Sequence, residues 1–433
     1  LLQDVDATGF NKAVVWTPPV IGDSGSGTFV DTLLPDDLFC SGHAALADGT
    51  VLFAGGAAGD VIGIIDADIF DPVSLIWTEQ ASMAFPRWYP TSTTLPDGRV
   101  LVTAGNSSPG VRVETPEVYH LGTNTWQQLT SAKRSLPMYP WMFVLPSDGV
   151  TRDTRVFSAG SSGNTKVLNV TTGTWEPATY STKWGNRGDY RGTAVTYGPG
   201  KVLIAGGRDP SGTATLHTNT AELIDLNQLS PEWQFTGSMK YPRGHLNSTL
   251  LPDGTVLVTG GTERAFSDPG AAVLAAELFD PVTGTWTEMA SMQVPRLYHS
   301  TAFLLPDGRV VTTGTHYETR FEIYSPPYLF KGARPSASPI VPNNVKYGSA
   351  FNVEFTTPEG TSITKVALIR LSSVTHSFNM DQRYVPLSFT VSGSTLSVQA
   401  PVNSSLAPPG YYMLFIVNDQ GVPSMAARVR LLW

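Results

Sequence analysis

Apolar residues along this chain come in short runs, and polar turn residues cut each run off. Residues 300–314, STAFLLPDGRVVTTG, show the unit: an apolar run, a Pro-Asp-Gly turn, a second apolar run. A tight turn between two strand-length runs is a β-hairpin signal. The unit recurs as HAALADGTVLFAGG, PTSTTLPDGRVLVTAG, FVLPSDGVTRDTRVFSAG, AVTYGPGKVLIAGG and NSTLLPDGTVLVTGG. Its turn glycines are Gly49, Gly98, Gly149, Gly200, Gly254 and Gly308, spaced 49 to 54 residues apart. Each hairpin is followed by a third apolar run, such as ADIFDP, AELIDL or AELFDP. A fourth run then surrounds Trp77, Trp126, Trp175, Trp233 or Trp286. No stretch has the apolar spacing of an amphipathic helix of three or more turns.

Four short strands in a period of about 50 residues form the pattern of a kelch-type propeller blade. A blade cannot bury its faces alone, so blades stack around an axis. Six turns predict at least six blades. AVVWTPP (13–19) and GSGTFVD (25–31) match a third and a fourth strand, with Phe29 in the Trp position, and Leu1 and Leu2 match the tail of a second. The expectation is a seven-bladed propeller over residues 1–330, with its first blade incomplete at the N-terminus. An upstream segment would complete that blade and close the ring. The last repeat, ending FEIYSPPYLF, lacks a fourth strand. After the Pro-rich KGARPSASPIVPNN the period stops, and AFNVEF, KVALIRL, TLSVQA, YYMLFIV and AARVRLL alternate as short strands. Residues 331–433 read as an Ig-like β-sandwich. The fold class is therefore all-β.

Composition agrees. Gly (41) and Pro (33) are enriched, and only 15% of the 433 residues are charged, against about a quarter in ordinary domains. The net charge of −8, with no basic run, gives no electrostatic basis for nucleic acid or for an anionic membrane. No apolar run is long enough to span a bilayer. One cysteine, Cys40, excludes an internal disulfide. Four Asn-x-Ser/Thr sites, at Asn106, Asn169, Asn247 and Asn403, fit a secreted, extracellular or periplasmic protein, although a chain rich in Ser and Thr carries such sites by chance.

Candidate chemistry follows from the repeat. Nine residues before the turn glycines stand Cys40, Tyr89, Pro140, Arg191, His245 and His299; ten before stand Phe39, Trp88, Tyr139, Tyr190, Gly244 and Tyr298. Propeller pseudo-symmetry brings equivalent positions to one rim of the central channel. Bulky aromatics also pack the wedge where blades converge, which accounts equally well for Trp88, Tyr139 and Tyr190. A Cys, two Tyr and a His on one rim are less well explained by packing.

At these residues the chain resembles the galactose oxidase/glyoxal oxidase family, the copper radical oxidases. The matching pieces are LFCSGH (38–43), RWYPT (87–91), RLYHS (296–300) and VTHSFNMDQRYVPL (374–387). The resemblance covers nearly the whole chain and implies one copper ion. Tyr89, His299 and His376 would be equatorial ligands and Tyr298 the axial one. Cys40 and Tyr89 would be joined by a thioether into a protein-derived radical cofactor. His376 would reach the site on a loop of the C-terminal domain. Imidazole and phenolate suit Cu(II). Alcohol oxidation removes two electrons and one copper takes one, so the cross-linked tyrosine would take the other. Tyr298 would be the base for the substrate hydroxyl, and dioxygen would leave as hydrogen peroxide.

Other residues have two readings each. His245, Arg191, Tyr139 and Tyr190 line the rim as substrate contacts or as inter-blade packing. Asp381, Gln382 and Arg383 orient His376 or form a solvated surface run. His43, His120, His217 and His316 read as structural. Galactose oxidases place a Trp over the thioether from a segment that here is TAGNSSPG, with Ser107 near that position. RWY is closer to the glyoxal oxidase branch, where Trp88 would shield the radical. The expected substrates are small aldehydes, reacting as hydrates, or primary alcohols, together with dioxygen. The alternatives are a galactose oxidase-like sugar or alcohol oxidase and a non-catalytic kelch binding module.

Overall fold

The Pro-Asp-Gly turns fold the chain into consecutive antiparallel meanders. The turn glycines Gly49, Gly98, Gly200, Gly254 and Gly308 all have positive φ, from 69° to 98°, a region that a Cβ disfavours. The computed structural model describes residues 2–3, 12–19, 25, 27–59, 61–147, 153–211, 215–315, 318, 320–341 and 343–433, with Leu2 and Gln3 as backbone alone. Gly149 and His316 lie outside them. The chain divides into two compact units, Leu1–Tyr139 and Pro140–Trp433.

The first unit holds a three-stranded sheet and two larger ones. Leu2–Gln3, Lys12–Thr17 and Thr28–Leu33 pair in that order, matching the second, third and fourth strands of the repeat. Gly42–Ala45, Val51–Ala54, Ala67–Asp71 and Ile76–Glu79 form the next sheet. Trp88–Thr94, Val100–Ser108, Glu117–His120 and Thr125–Gln128 form the third, with a short strand Val111–Arg112 added. The tryptophans pair across strands: Phe70 faces Trp77 at 4.7 Å between ring centres, and Tyr119 faces Trp126 at 5.0 Å. Such cross-strand aromatic pairs stabilise a sheet by about 0.2–1 kcal/mol each.

The second unit repeats the meander from Met142 to Ser181, Gly192 to Phe235 and Asn247 to Ser291, then in three strands from Ser300 to Tyr324. First strands of successive sheets adjoin. The Asn247 side-chain amide donates to the Ser300 carbonyl at 3.2 Å, and the Thr193 and Ser248 hydroxyls bond at 2.8 Å. Asn106 and Asn247 are buried, 6% and 2% exposed, so neither can carry a glycan.

Beyond residue 331 two sheets share one core. One contains Ala350–Thr356 and Thr395–Gln399; the other contains Ile363–Arg370, Gly410–Asn418 and Ala427–Leu432. Val353, Leu396 and Val398 meet Val366, Leu368, Leu414 and Ile416 between them. The second sheet is buried on both faces. Ala367, Ile369, Met413 and Phe415 pack outward onto Leu250, Val256 and Tyr328 of the meanders. That double burial explains why VALI and YYMLFIV read as unbroken apolar runs.

Candidate metal centre

Six meanders place one non-glycine residue in the left-handed region at or just before the start of their first strand. These are Cys40 (φ 65°), Tyr89 (67°), Tyr139 (47°), Tyr190 (45°), His245 (60°) and His299 (68°). A left-handed non-glycine backbone costs about 1–3 kcal/mol and persists where surrounding structure enforces it. Backbone hydrogen bonds link the positions from sheet to sheet. Tyr89 N–H donates to Cys40 C=O at 3.0 Å, Tyr139 N–H to Tyr89 C=O at 3.0 Å, and His245 N–H to Arg191 C=O at 2.7 Å.

In the first unit Cys40 and Tyr89 are buried, 5% and 2% exposed. Trp88 stacks on Tyr89, with 3.7 Å between ring centres and 19° between planes. Tyr139 lies 4.7 Å from Tyr89, and its hydroxyl donates to the Ser41 carbonyl at 3.0 Å. The tyrosine ring thus contacts two other aromatics. Ser107, near the position of the galactose oxidase tryptophan, lies on the second strand of that sheet.

In the second unit Tyr298 and His299, the adjacent pair of RLYHS, stack at 3.8 Å. The His376 ring stands 4.6 Å from His299 and 5.3 Å from Tyr298, nearly perpendicular to both. A nitrogen of His299 and one of His376 lie within 4.8 Å of each other. His376 sits at the tip of a hairpin, Val374–Thr375 paired with Phe378–Asn379. Both turn residues have positive φ, 48° at His376 and 68° at Ser377, the backbone of a two-residue I′ hairpin. The sequence hid this turn because Asn-Gly, its usual signal, is absent. The Thr375 hydroxyl meets His376 Nδ1 at 2.7 Å.

The hairpin lies against the first strands at 192–198, 247–250 and 300–304. Polar side chains hold it there. Gln382 donates to the Ser248 carbonyl at 2.8 Å and accepts from Leu250 N–H at 3.0 Å. Arg383 donates to the carbonyls of Val144, Ser405 and Leu406. Asp381 accepts from the Ser373 hydroxyl at 2.6 Å and pairs with Arg370. Asp381, Gln382 and Arg383 are all buried, at most 8% exposed. The surface-run reading of MDQR is therefore wrong: the segment anchors the hairpin through backbone groups of other strands.

Around Tyr298 stand Tyr190 at 5.8 Å, His245 at 5.2 Å and Phe266 at 5.5 Å. The Arg191 guanidinium lies 4.6 Å over the Phe266 ring. Burial pushes His245 well below the usual imidazole range, reinforced by His217, Arg191 and His299. Burial also lowers His217 to about 4, against the raising effect of its 2.8 Å bond to the Thr262 carbonyl. Both imidazoles are neutral at pH 7. His217 stands 5.8 Å from His245, which places a histidine read as structural behind the cluster. Phe266 was not legible as a site residue; a lone aromatic in the polar loop TERAFSDPG was its signal.

Residues 192–329 match the glyoxal oxidase N-terminus family, and residues 334–431 match the galactose oxidase-like early set domain. A galactose oxidase of Gibberella zeae is 31% identical over 92% of this chain and 62% of its own length. Aldehyde oxidase GLOX1 of Arabidopsis thaliana is 27% identical over 98% of the chain and 76% of its own length. A solved fungal alcohol oxidase of the AA5 family, in complex with copper, superposes with a TM-score of 0.80 at 26% identity, covering 100% of this chain and 96% of its own. Along nearly its whole length the chain is similar to the galactose oxidase/glyoxal oxidase family. It spans 62% of the length of the galactose oxidases it matches.

Proposed function

We propose that the protein is a copper radical oxidase. It would oxidise small aldehydes, as hydrates, or primary alcohols, and reduce dioxygen to hydrogen peroxide. The observation that carries this reading is the set of six left-handed residues, of which five are Tyr or His and one is Cys. Strain repeated at equivalent positions, with chemistry-bearing side chains each time, marks a functional rim. The architecture we assign is a seven-bladed propeller over 1–330 and an Ig-like sandwich over 331–433.

The donor set fits copper. Two imidazoles with nitrogens within 4.8 Å suit two ligands of one ion, and nitrogen with phenolate oxygen is a set Cu(II) accepts. Tyr89, Tyr298, His299 and His376 would hold it. The Thr375 hydroxyl on Nδ1 orients the His376 ring and would leave Nε2 for the ion. Bound copper supplies one of the two electron acceptors that the reaction needs. The chain supplies the rest. Tyr298, as phenolate, takes the hydroxyl proton of the alcohol or hydrate. Tyr89, cross-linked to Cys40 and oxidised by one electron, takes the carbon-bound hydrogen atom. The substrate loses two electrons and two protons in total, and dioxygen accepts both to leave as hydrogen peroxide. Tyr190, Arg191, His245 and Phe266 wall the Tyr298 side and are assigned to substrate contact.

The Trp88–Tyr89 stack at 3.7 Å supports the aldehyde-oxidase branch, because it puts the shielding indole beside the radical from the preceding residue. The higher identity to a galactose oxidase supports a sugar or alcohol substrate as the second reading. A panel of glyoxal, methylglyoxal, primary alcohols and galactose, read by peroxide release from copper-loaded protein, separates them. A non-catalytic kelch module would release none with any substrate. Secretion is part of the proposal; no helix among the described residues is long and apolar enough to cross a membrane.

A further inference from the structure

Neither ring nitrogen of His245 has a hydrogen-bond partner among the described residues, and the residue is 1% exposed. Buried polar groups in folded proteins are bonded with few exceptions, and an exception calls for a ligand or a function. Burial holds the imidazole neutral, and the Tyr190 backbone, the one influence that opposes it, stands outside hydrogen-bond geometry. The neighbouring His217 differs. Its Nδ1 meets the Thr262 carbonyl at 2.8 Å, and its Nε2 packs on Gly244.

The repeat presents His245 to the rim as it presents His299. Each stands nine residues before its turn glycine, with φ of 60° and 68°, ahead of the first strands Asn247–Leu250 and Ser300–Leu304. The His245 ring stands 5.2 Å from Tyr298, at 71° to its plane. Phe266 covers the imidazole at 4.8 Å and is itself 36% exposed. An exposed side chain changes rotamer within nanoseconds. Arg191 lies 4.6 Å over the same Phe266 ring, and a guanidinium offers donors alone.

A neutral imidazole offers one N–H donor and one lone pair. The two substrate classes differ in their need for such a group. A primary alcohol has one hydroxyl, and Tyr298 takes its proton. An aldehyde hydrate has two hydroxyls on one carbon. The second stays on that carbon while the hydrate loses two electrons and two protons to dioxygen and leaves as a carboxylic acid. It both donates and accepts, so its partner has to stand beside Tyr298 and do the same.

We propose that His245 is the specificity residue of the site. It binds the second hydroxyl of an aldehyde hydrate, with the Phe266 ring turned aside, and so favours aldehydes over alcohols. An alcohol leaves the buried imidazole unpaired, which is how a site built for a hydroxyl rejects an analogue that lacks it. The inference rests on the oxidase reading, with Tyr298 as the base. His245 leaves the chemistry to Tyr298 and Tyr89 and decides which substrate is held.

Methylglyoxal hydrate and hydroxyacetone differ only in the second hydroxyl. In copper-loaded protein the ratio of their kcat/KM values, read by peroxide release, should favour the hydrate. That ratio should fall by about 10–100-fold in His245→Phe. Phenylalanine suits the backbone there, since Tyr139 and Tyr190 hold the equivalent positions with φ of 47° and 45°. His245→Gln keeps a donor and an acceptor and should restore part of the ratio. Trifluoroacetone hydrate, a geminal diol with no hydrogen on the carbon that bears its hydroxyls, gives a reading without turnover. By calorimetry it should bind the copper-loaded parent more tightly than trifluoroisopropanol, and His245→Phe should remove the difference. A parent that shows this difference and releases no peroxide would fail the oxidase reading and keep the His245 assignment. An equal loss on both substrates in His245→Phe, an unchanged ratio, or a parent that binds diol and alcohol alike would each overturn it.

Discussion

The Tyr89 N–H donates to the Cys40 carbonyl at 3.0 Å, and both residues hold left-handed backbone conformations. Forty-nine residues separate them in sequence, one full period of the repeat. The repeat therefore places the one cysteine of the chain next to the tyrosine whose ring contacts Trp88 and Tyr139. Cys40→Ser keeps the size and the backbone, so the fold should survive with an unchanged circular dichroism spectrum. Peroxide formation should fall to a small fraction of the parent rate. Parent-like turnover in this variant would remove the cross-link from the mechanism.

Tyr298 is half-buried against His299 and His376. Tyr298→Phe keeps the ring stack and removes the oxygen proposed to take the substrate proton. Loss of a positioned base costs about 10²–10⁴-fold in rate. Steady-state peroxide assays should show that loss in kcat, while copper content, read by elemental analysis, falls much less.

Gln382 anchors the segment that follows the His376 hairpin. Its amide satisfies Ser248 C=O and Leu250 N–H, and Gln382→Leu leaves both buried and unpaired. The expected destabilisation is about 1–3 kcal/mol, read by denaturant unfolding. The hairpin that carries His376 loosens with it, so copper affinity should fall by about 10–100-fold. A stability loss with unchanged copper affinity would show that the hairpin is positioned by other contacts.

Asp68 gives a pH dependence whose sign is fixed by its raised pKa of about 7. The folded chain then holds a proton that the unfolded chain has already lost above about pH 4. Stability should fall as pH rises from about 4 to 7 and level off above that window. Asp36, Asp66 and Glu79 face the same carboxylate and push in the same direction. Unfolding curves of the parent and of Asp68→Asn, compared between pH 5 and pH 8, should converge at the acid end and separate at the alkaline end.

The meanders were legible because turn glycines and third-strand apolar runs recur in register, and the residues ahead of each first strand followed from counting. The hairpin of His376 was not legible. Its I′ turn is built on His-Ser, and its anchoring residues Asp381, Gln382 and Arg383 have the composition of a surface loop. Their burial depends on backbone groups at Val144, Ser248 and Leu250, more than 130 residues upstream, which no local pattern encodes. Phe266 and His217 were missed for the same reason: their place beside His245 comes from tertiary packing.

The most direct test of the copper radical account is peptide mass spectrometry of protein incubated with copper and air. The account predicts Cys40 and Tyr89 in one linked species, two hydrogens lighter than the two peptides together. Copper bound at full occupancy with the two peptides separate would contradict it.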